Sequence, residues 1–155
     1  MRISRTVWTW RALAAIGLVA VTGCTNWGPL TSTYNGQVRV SATGLASKNN
    51  SGGQNVINLT DPDKDGNPVY AHTDWFIFGP EPNCQLTGGS CAPDFHQVGQ
   101  SKTPEIQNTS AQYTHTYDDL DRAGSQLRIV SLACAQMGWP VPDSCSNDAI
   151  LTFNY

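Results

Sequence analysis

Residues 69–78 read VYAHTDWFIF and carry the strongest β-strand signal in the chain. Aromatic and β-branched side chains dominate this stretch, as is typical of a strand buried in a protein core. Residues 79–82 follow at once and read GPEP, a combination that ends a strand. The stretch therefore predicts a central strand around which the other elements pack, with Trp75 as the core tryptophan.

Further segments on both sides alternate apolar and polar residues, and no long segment shows the helical period of about 3.6 residues. In chain order, the predicted strands cover residues 38–43, 56–59, 69–78, 95–98, 111–117, 127–134 and 149–155. Turn-forming residues such as the DPDKDG stretch at 61–66 separate them. Short strands with regularly spaced turns predict an all-β fold of two packed sheets, a β-sandwich.

Two short motifs connect this sandwich with a known family. Residues 76–79 read FIFG, and residues 115–117 read HTY, followed by AG at 123–124. Here the chain resembles polycystic-kidney-disease (PKD) domains, which carry W-x-F-G-D-G on one strand and H-T-Y later, although PE at 80–81 replaces the expected Asp-Gly. The resemblance covers less than half of the chain and implies an immunoglobulin-like sandwich. Because no cysteine lies in the earlier strands, the disulfide of true immunoglobulin domains is not expected.

The N-terminus has the layout of an export signal. Arginines precede the uncharged residues 12–23, a run shorter than the roughly 20 apolar residues of a membrane-spanning helix. Val21-Thr22-Gly23-Cys24 resembles a bacterial lipobox, which implies cleavage before Cys24 and a diacylglyceryl anchor on its thiol. An uncleaved anchor helix is the alternative, but Gly28-Pro29 continues such a helix poorly.

These signals divide the chain into a signal peptide (1–23), a lipidated cysteine with a flexible tether (24–37) and a β-sandwich (38–155). The tether is expected because Thr, Asn, Gly and Ser dominate its composition. The signal holds three of the nine Lys/Arg residues, so the remainder has six against twelve Asp/Glu, a formal charge of −6. Such a domain does not attract nucleic acid or anionic headgroups, so nucleic-acid binding is not expected.

Four cysteines remain besides Cys24, namely Cys84, Cys91, Cys134 and Cys145. An even number in an exported protein predicts two disulfides, and four cysteines allow three pairings. We expect the local pairs, Cys84–Cys91 and Cys134–Cys145, because each brackets a loop that contains Gly or Pro. A zinc site is the alternative, but neither pair has C-x2-C spacing.

Carboxylates recur in the turn at residues 61–66, and Gly66 follows them; they are Asp61, Asp63 and Asp65. This pattern resembles the first half of a calcium loop, whose oxygen ligands suit that ion. His72, however, stands where an EF-hand has its bidentate glutamate. An acidic β-turn explains the same residues and is the favoured interpretation, with structural calcium as the alternative.

Other titratable residues point to no recognised catalytic pattern. The acidic run at 118–121, with Asp118, Asp119 and Asp121, is expected to be a solvated turn, or to complete the calcium site if the fold joins the two loops. Three scattered histidines and one nearby carboxylate are the candidates for a metal or acid–base site: His72, His96, His115 and Asp74. The chain contains neither H-E-x-x-H nor G-x-S-x-G, so structural roles are expected.

Trp139 lies in the predicted Cys134–Cys145 loop, close to Met137 and Val141. Apolar loop tips on a rigid scaffold bind partners, and tryptophan anchors interfaces or stacks on sugars. The alternative is that Trp139 folds back over the core. If the strands alternate in direction after the tether, this loop and the Asp61–Asp65 turn both lie at the membrane-proximal end.

The sequence thus predicts a lipoprotein on the extracytoplasmic face of a bacterial membrane that acts as a non-catalytic binding module of the cell envelope. Its expected partner is an envelope protein or glycan, and no cofactor is expected besides the possible calcium. Two alternatives stay open: a phage-encoded lipoprotein that blocks an envelope process such as superinfection, and a secreted-side hydrolase.

Overall fold

The computed structural model describes residues 23–49, 51–80, 93–118 and 126–154, which contain nine β-strands and no helix. The strands are β1 (Cys24–Tyr34), β2 (Gln37–Lys48), β3 (Gly52–Thr60), β4 (Val69–Gly79), β5 (Asp94–Lys102), β6 (Ser110–Asp118), β7 (Gln126–Ala135), β8 (Ser144–Cys145) and β9 (Ala149–Asn154). Accordingly, the described ranges offer no helix that is long and apolar enough to cross a membrane.

The strands form two antiparallel sheets that pack face to face. The first has the order β1-β2-β3-β6, and the second has the order β5-β4-β7, with both β8 and β9 pairing with β7. The chain changes sheet between β3 and β4, between β5 and β6, and between β6 and β7. This is a Greek-key arrangement of the immunoglobulin-like kind, so the predicted all-β sandwich is confirmed.

The core lies between the sheets and follows the alternation that the sequence predicted. Along β4, the inward side chains alternate with half-buried outward ones, and Trp75 is the largest fully buried side chain. Leu127 and Ile129 of β7 and Ile57 and Leu59 of β3 close the same core. Removing these apolar surfaces from water is the main favourable term in folding.

Residues 24–34, which were expected to be a tether, form β1 and pair with β2 along most of their length. Trp27 is buried, and its Nε1 donates a hydrogen bond of 2.8 Å to Asn55 Oδ1. Asn35 and Gly36, with φ of 51° and 78°, make the two-residue turn into β2. The tether prediction is therefore wrong, because one buried tryptophan and a hairpin turn fix this segment to the sheet.

The alternation of β1 is broken, so the sequence shows no regular period that would have marked it as a strand. Its register against β2 shifts between Trp27 and Leu30 and again between Ser32 and Thr33. The first shift leaves an extra residue in β1 and moves the following side chains to the other face, so no single period of two runs along the strand; at the second shift the extra residue, Arg39, lies in β2. Asn35-Gly36 is a specific hairpin signal, and it is the one feature of the sequence that would have identified this strand.

The extra strand also decides which loops share an end of the sandwich. Cys24 pairs with Ser47 at one end, and β1 then runs 11 residues, about 33 Å, to the other end. There, Ser32 Oγ lies 2.6 Å from Ser144 Oγ, next to the loop that contains Trp139. The Trp139 loop therefore lies at the end opposite Cys24.

The turn at residues 61–66 lies at this same end, because the Gln136 N–H donates to the Pro68 carbonyl at 2.9 Å. The expectation that this turn and the Trp139 loop share one end agrees with the structure. The structure does not place them at the Cys24 end, where the anchor was expected. The additional strand β1 precedes β2 and reverses the direction of every later strand relative to Cys24.

Cys134 and Cys145 form the predicted disulfide, which joins β7 to β8. The predicted Cys84–Cys91 pair lies outside the described residues, as do the signal up to Thr22 and the carboxylates Asp119 and Asp121.

Candidate functional site

The most exposed large apolar side chain among the described residues is Trp139, at 97% of its full accessibility. It lies in the tip at residues 138–142 (GWPVP), where every residue is exposed and Val141 reaches 38%. The alternative that Trp139 folds back over the core is wrong. An indole presented in this way has its full contact area available to a partner.

The base of the loop is fixed to the sandwich on both sides. The Cys134–Cys145 disulfide closes it, and the Val141 N–H donates to the Gly138 carbonyl at 2.9 Å. Gly138 has a φ of 73°, which suits glycine. Met137 packs against the hydrophobic core. Met137 therefore supports the loop from below, whereas Trp139 and Val141 are the residues available for contact.

Polar contacts hold the loop against the second sheet. The Tyr70 hydroxyl donates to Asp143 Oδ2 at 2.8 Å, and Lys102 Nζ lies 3.8 Å from the centre of the Tyr70 ring. Burial, together with the Asp143 hydrogen bond and charge, raises the pKa of Tyr70 to about 12. The hydroxyl therefore stays protonated at neutral pH and keeps its donor role. Gln136 Nε2 donates to Glu105, which also pairs with Lys102 at 3.1 Å.

The acidic turn beside this loop is organised by protein donors. Asp61 accepts hydrogen bonds from the Asn108 N–H at 2.6 Å and from the Asp63 N–H at 3.2 Å. The guanidinium of the buried Arg39 pairs with both Asp63 and Asp65. Burial acts to raise the pKa of the Asp65 carboxyl, but hydrogen bonds from Asn67 and the Arg39 charge together lower it.

This arrangement bears on the calcium alternative. Arg39 already supplies the positive charge for two of the three carboxylates, and within the described ranges no three His, Cys, Asp or Glu residues are grouped to hold a metal ion. Asp118 pairs with Gly52 at the start of β3, whereas Asp61 follows the end of β3. Asp118 thus lies at the far end of the sandwich and does not complete a site with this turn. The acidic turn remains the favoured interpretation, and calcium binding stays the alternative.

The four residues considered for acid–base chemistry do not converge. His72 and Asp74 alternate with the buried Thr73 on β4, with His72 Nδ1 3.8 Å from Asp74 Oδ2. Asp74 also accepts hydrogen bonds from Gln97 and Gln100. His115 lies on β6, and its Nδ1 is 3.0 Å from the hydroxyl of Thr73 in the core. The fourth candidate, His96, lies on β5, where it pairs with Ile77 of β4.

Sequence reasoning missed a buried polar network that crosses the core. Asn55 is fully buried; its Oδ1 accepts from Trp27, and its Nδ2 donates to Thr73 Oγ1 at 3.0 Å and to Ser131 Oγ at 2.8 Å. The bonds join β1 and β3 of one sheet to β4 and β7 of the other. Such a network has one satisfied arrangement and so specifies how the sheets are stacked.

His115 extends this network and makes the stability depend on pH. Burial, with a smaller effect of His72, lowers the pKa of His115 below its ordinary value of about 6.5. Below about pH 6.5, His115 therefore binds a proton more readily in the unfolded chain than in the folded one. The free energy of unfolding consequently falls as the pH drops.

We expect the midpoint of thermal unfolding to decrease from about pH 7.5 to about pH 5.5, and to decrease less in His115→Gln. Differential scanning calorimetry of both proteins across this range measures the difference. Equal pH dependence of the two proteins would contradict the assignment of His115.

At the opposite end, Cys24 is exposed at the first position of β1. The fold and its two ends thus define an immunoglobulin-like sandwich with an exposed cysteine at one end and an apolar loop tip at the other. Comparison with protein-family models, with curated proteins and with solved structures found no match.

Proposed function

We propose that the protein is a lipid-anchored, non-catalytic binding module of a bacterial cell envelope. Cys24 carries the lipid after export, and the Trp139 loop binds the partner. The observation that supports this most strongly is the 97% exposure of Trp139 on a disulfide-closed loop at the end opposite Cys24. Contiguous exposed apolar patches rimmed by polar residues mark binding sites, and tryptophan is enriched at binding hot spots.

The absence of catalysis is part of the proposal. His72 with Asp74 and the core-facing His115 lie on different sides of β4, so they do not share a substrate position. A general base must reach the reacting group within hydrogen-bond distance, directly or through one water. The tip at residues 138–142 contains no titratable side chain.

The lipid anchor is tested by replacing its acceptor. In Cys24→Ala, the full chain should no longer become lipidated, so it should lack the mass of the diacylglyceryl group and keep the mass of the uncleaved residues 1–23. We expect mass spectrometry of the purified protein to show both changes. Thr25→Ala, at the next exposed position of β1, is the matched control and should be processed as wild type. Unchanged processing of Cys24→Ala would contradict the anchor.

A further inference from the structure

The tip of the Trp139 loop lacks the polar groups that a sugar site requires. Residues 138–142 contain no side chain that forms hydrogen bonds apart from the indole N–H. The adjoining Asp143 carboxylate already accepts a hydrogen bond from Tyr70. Ligand sites that recognise polar molecules place several convergent polar groups beside an apolar surface. The tip therefore suits an apolar pocket better than a glycan.

The charge and position of the tip disfavour a lipid surface. Five carboxylates and three basic groups surround this end of the sandwich; they are Asp61, Asp63, Asp65, Glu105 and Asp143 against Arg39, Lys64 and Lys102. Anionic membranes attract clusters of Lys and Arg, not a net negative surface. The loop also lies at the end of the domain away from Cys24.

The loop is preformed, which favours insertion into a complementary pocket. The disulfide and the packed Met137 side chain fix its base, and the hydrogen bond from Val141 to Gly138 orders its tip. A binding element that is ordered before binding loses less conformational entropy when the complex forms.

We propose that Trp139 inserts into an apolar pocket of a partner protein, with Lys or Arg side chains around that pocket to complement the acidic end of the sandwich. This inference rests on the proposed function, because the anchor at Cys24 sets the direction in which the loop points. It adds the chemical class of the partner, a protein whose pocket faces the membrane-anchored domain.

Photo-crosslinking in intact cells tests the class of the partner. The full chain carries p-benzoylphenylalanine at position 139 or, as the control, at position 150, where Ile150 of β9 is 59% exposed. Benzophenone reacts with C–H bonds of any neighbour, so the mass of the adduct identifies its class. We expect a protein adduct at position 139 and none at position 150. An adduct with lipid or glycan, a dimer of this chain, or no adduct at position 139 would overturn the inference.

The crosslinked protein is then purified, and its affinity for variants of the full chain is measured. Trp139→Ala should weaken binding about 30-fold or more, as expected for a hot-spot residue, and more salt should weaken wild-type binding. Ile150→Ala should bind as wild type. Equal affinity of Trp139→Ala and wild type would overturn the inference. A lipid adduct at position 139 in a chain that is still lipidated at Cys24 would refute this partner class while leaving the proposed anchor intact.

Discussion

Trp27→Ala is expected to destabilise the domain by about 5 kcal/mol, because truncating a buried tryptophan leaves a cavity and removes a hydrogen-bond donor. The indole is buried under the first sheet, and its Nε1 is the donor to Asn55 Oδ1. A tryptophan in a solvated tether would make no such contribution. Urea unfolding of wild type and variant, followed by far-ultraviolet circular dichroism, measures the difference.

Trp139→Ala is the matched control, since it removes the same side chain from a position that is 97% exposed. Its free energy of unfolding should stay within about 0.5 kcal/mol of wild type. If Trp27→Ala were equally mild, residues 24–34 would not be part of the folded domain. If Trp139→Ala were strongly destabilising, the loop tip would belong to the core.

Asn55→Ala is expected to cost about 4 kcal/mol, because three buried hydrogen bonds are lost at once. Trp27 loses its acceptor, and the buried hydroxyls of Thr73 and Ser131 lose a shared donor. Asn58→Ala on the same strand removes the same side chain from an exposed position, where it bonds only to Gln112 among the described residues. That control should change stability by less than about 0.5 kcal/mol.

The double variant Trp27→Ala/Asn55→Ala should lose less free energy of unfolding than the sum of the losses in the two single variants. Each single change already breaks the hydrogen bond that the two residues share. Strict additivity in the urea experiment would contradict the bond. An Asn55→Ala effect as small as that of Asn58→Ala would contradict the whole network.

The strands that form the core were predictable because burial on one face imposes a period of two. Residues 69–78 and 127–134 lie in the central strands β4 and β7, where burial alternates along the strand, and their apolar, aromatic and β-branched content identified them. β1 was not predictable in this way, because the register shift after Trp27 interrupts its period and only Trp27 and Ser32 along it are buried. Missing one strand was enough to place the Trp139 loop at the wrong end.

The candidate site was predictable in part. Trp139 between Cys134 and Cys145 indicated an exposed binding loop. Whether its ring faces water or the core depends on tertiary packing, which the local sequence does not determine. The exposed Trp139 and the packed Met137 show that two apolar residues in one loop have opposite roles. The Asn55 network was invisible for a related reason, since its partners come from strands that are distant in sequence.

The central claim is that the anchor and the binding tip lie at opposite ends of the domain, and fluorescence quenching of the lipidated protein in vesicles tests it directly. Trp27 and Trp75 are buried, so the emission of wild type minus that of Trp139→Phe reports Trp139. We expect aqueous acrylamide to quench this difference emission and brominated phosphatidylcholine in the bilayer to leave it unchanged. Quenching by the brominated lipid, or protection from acrylamide, would contradict the account.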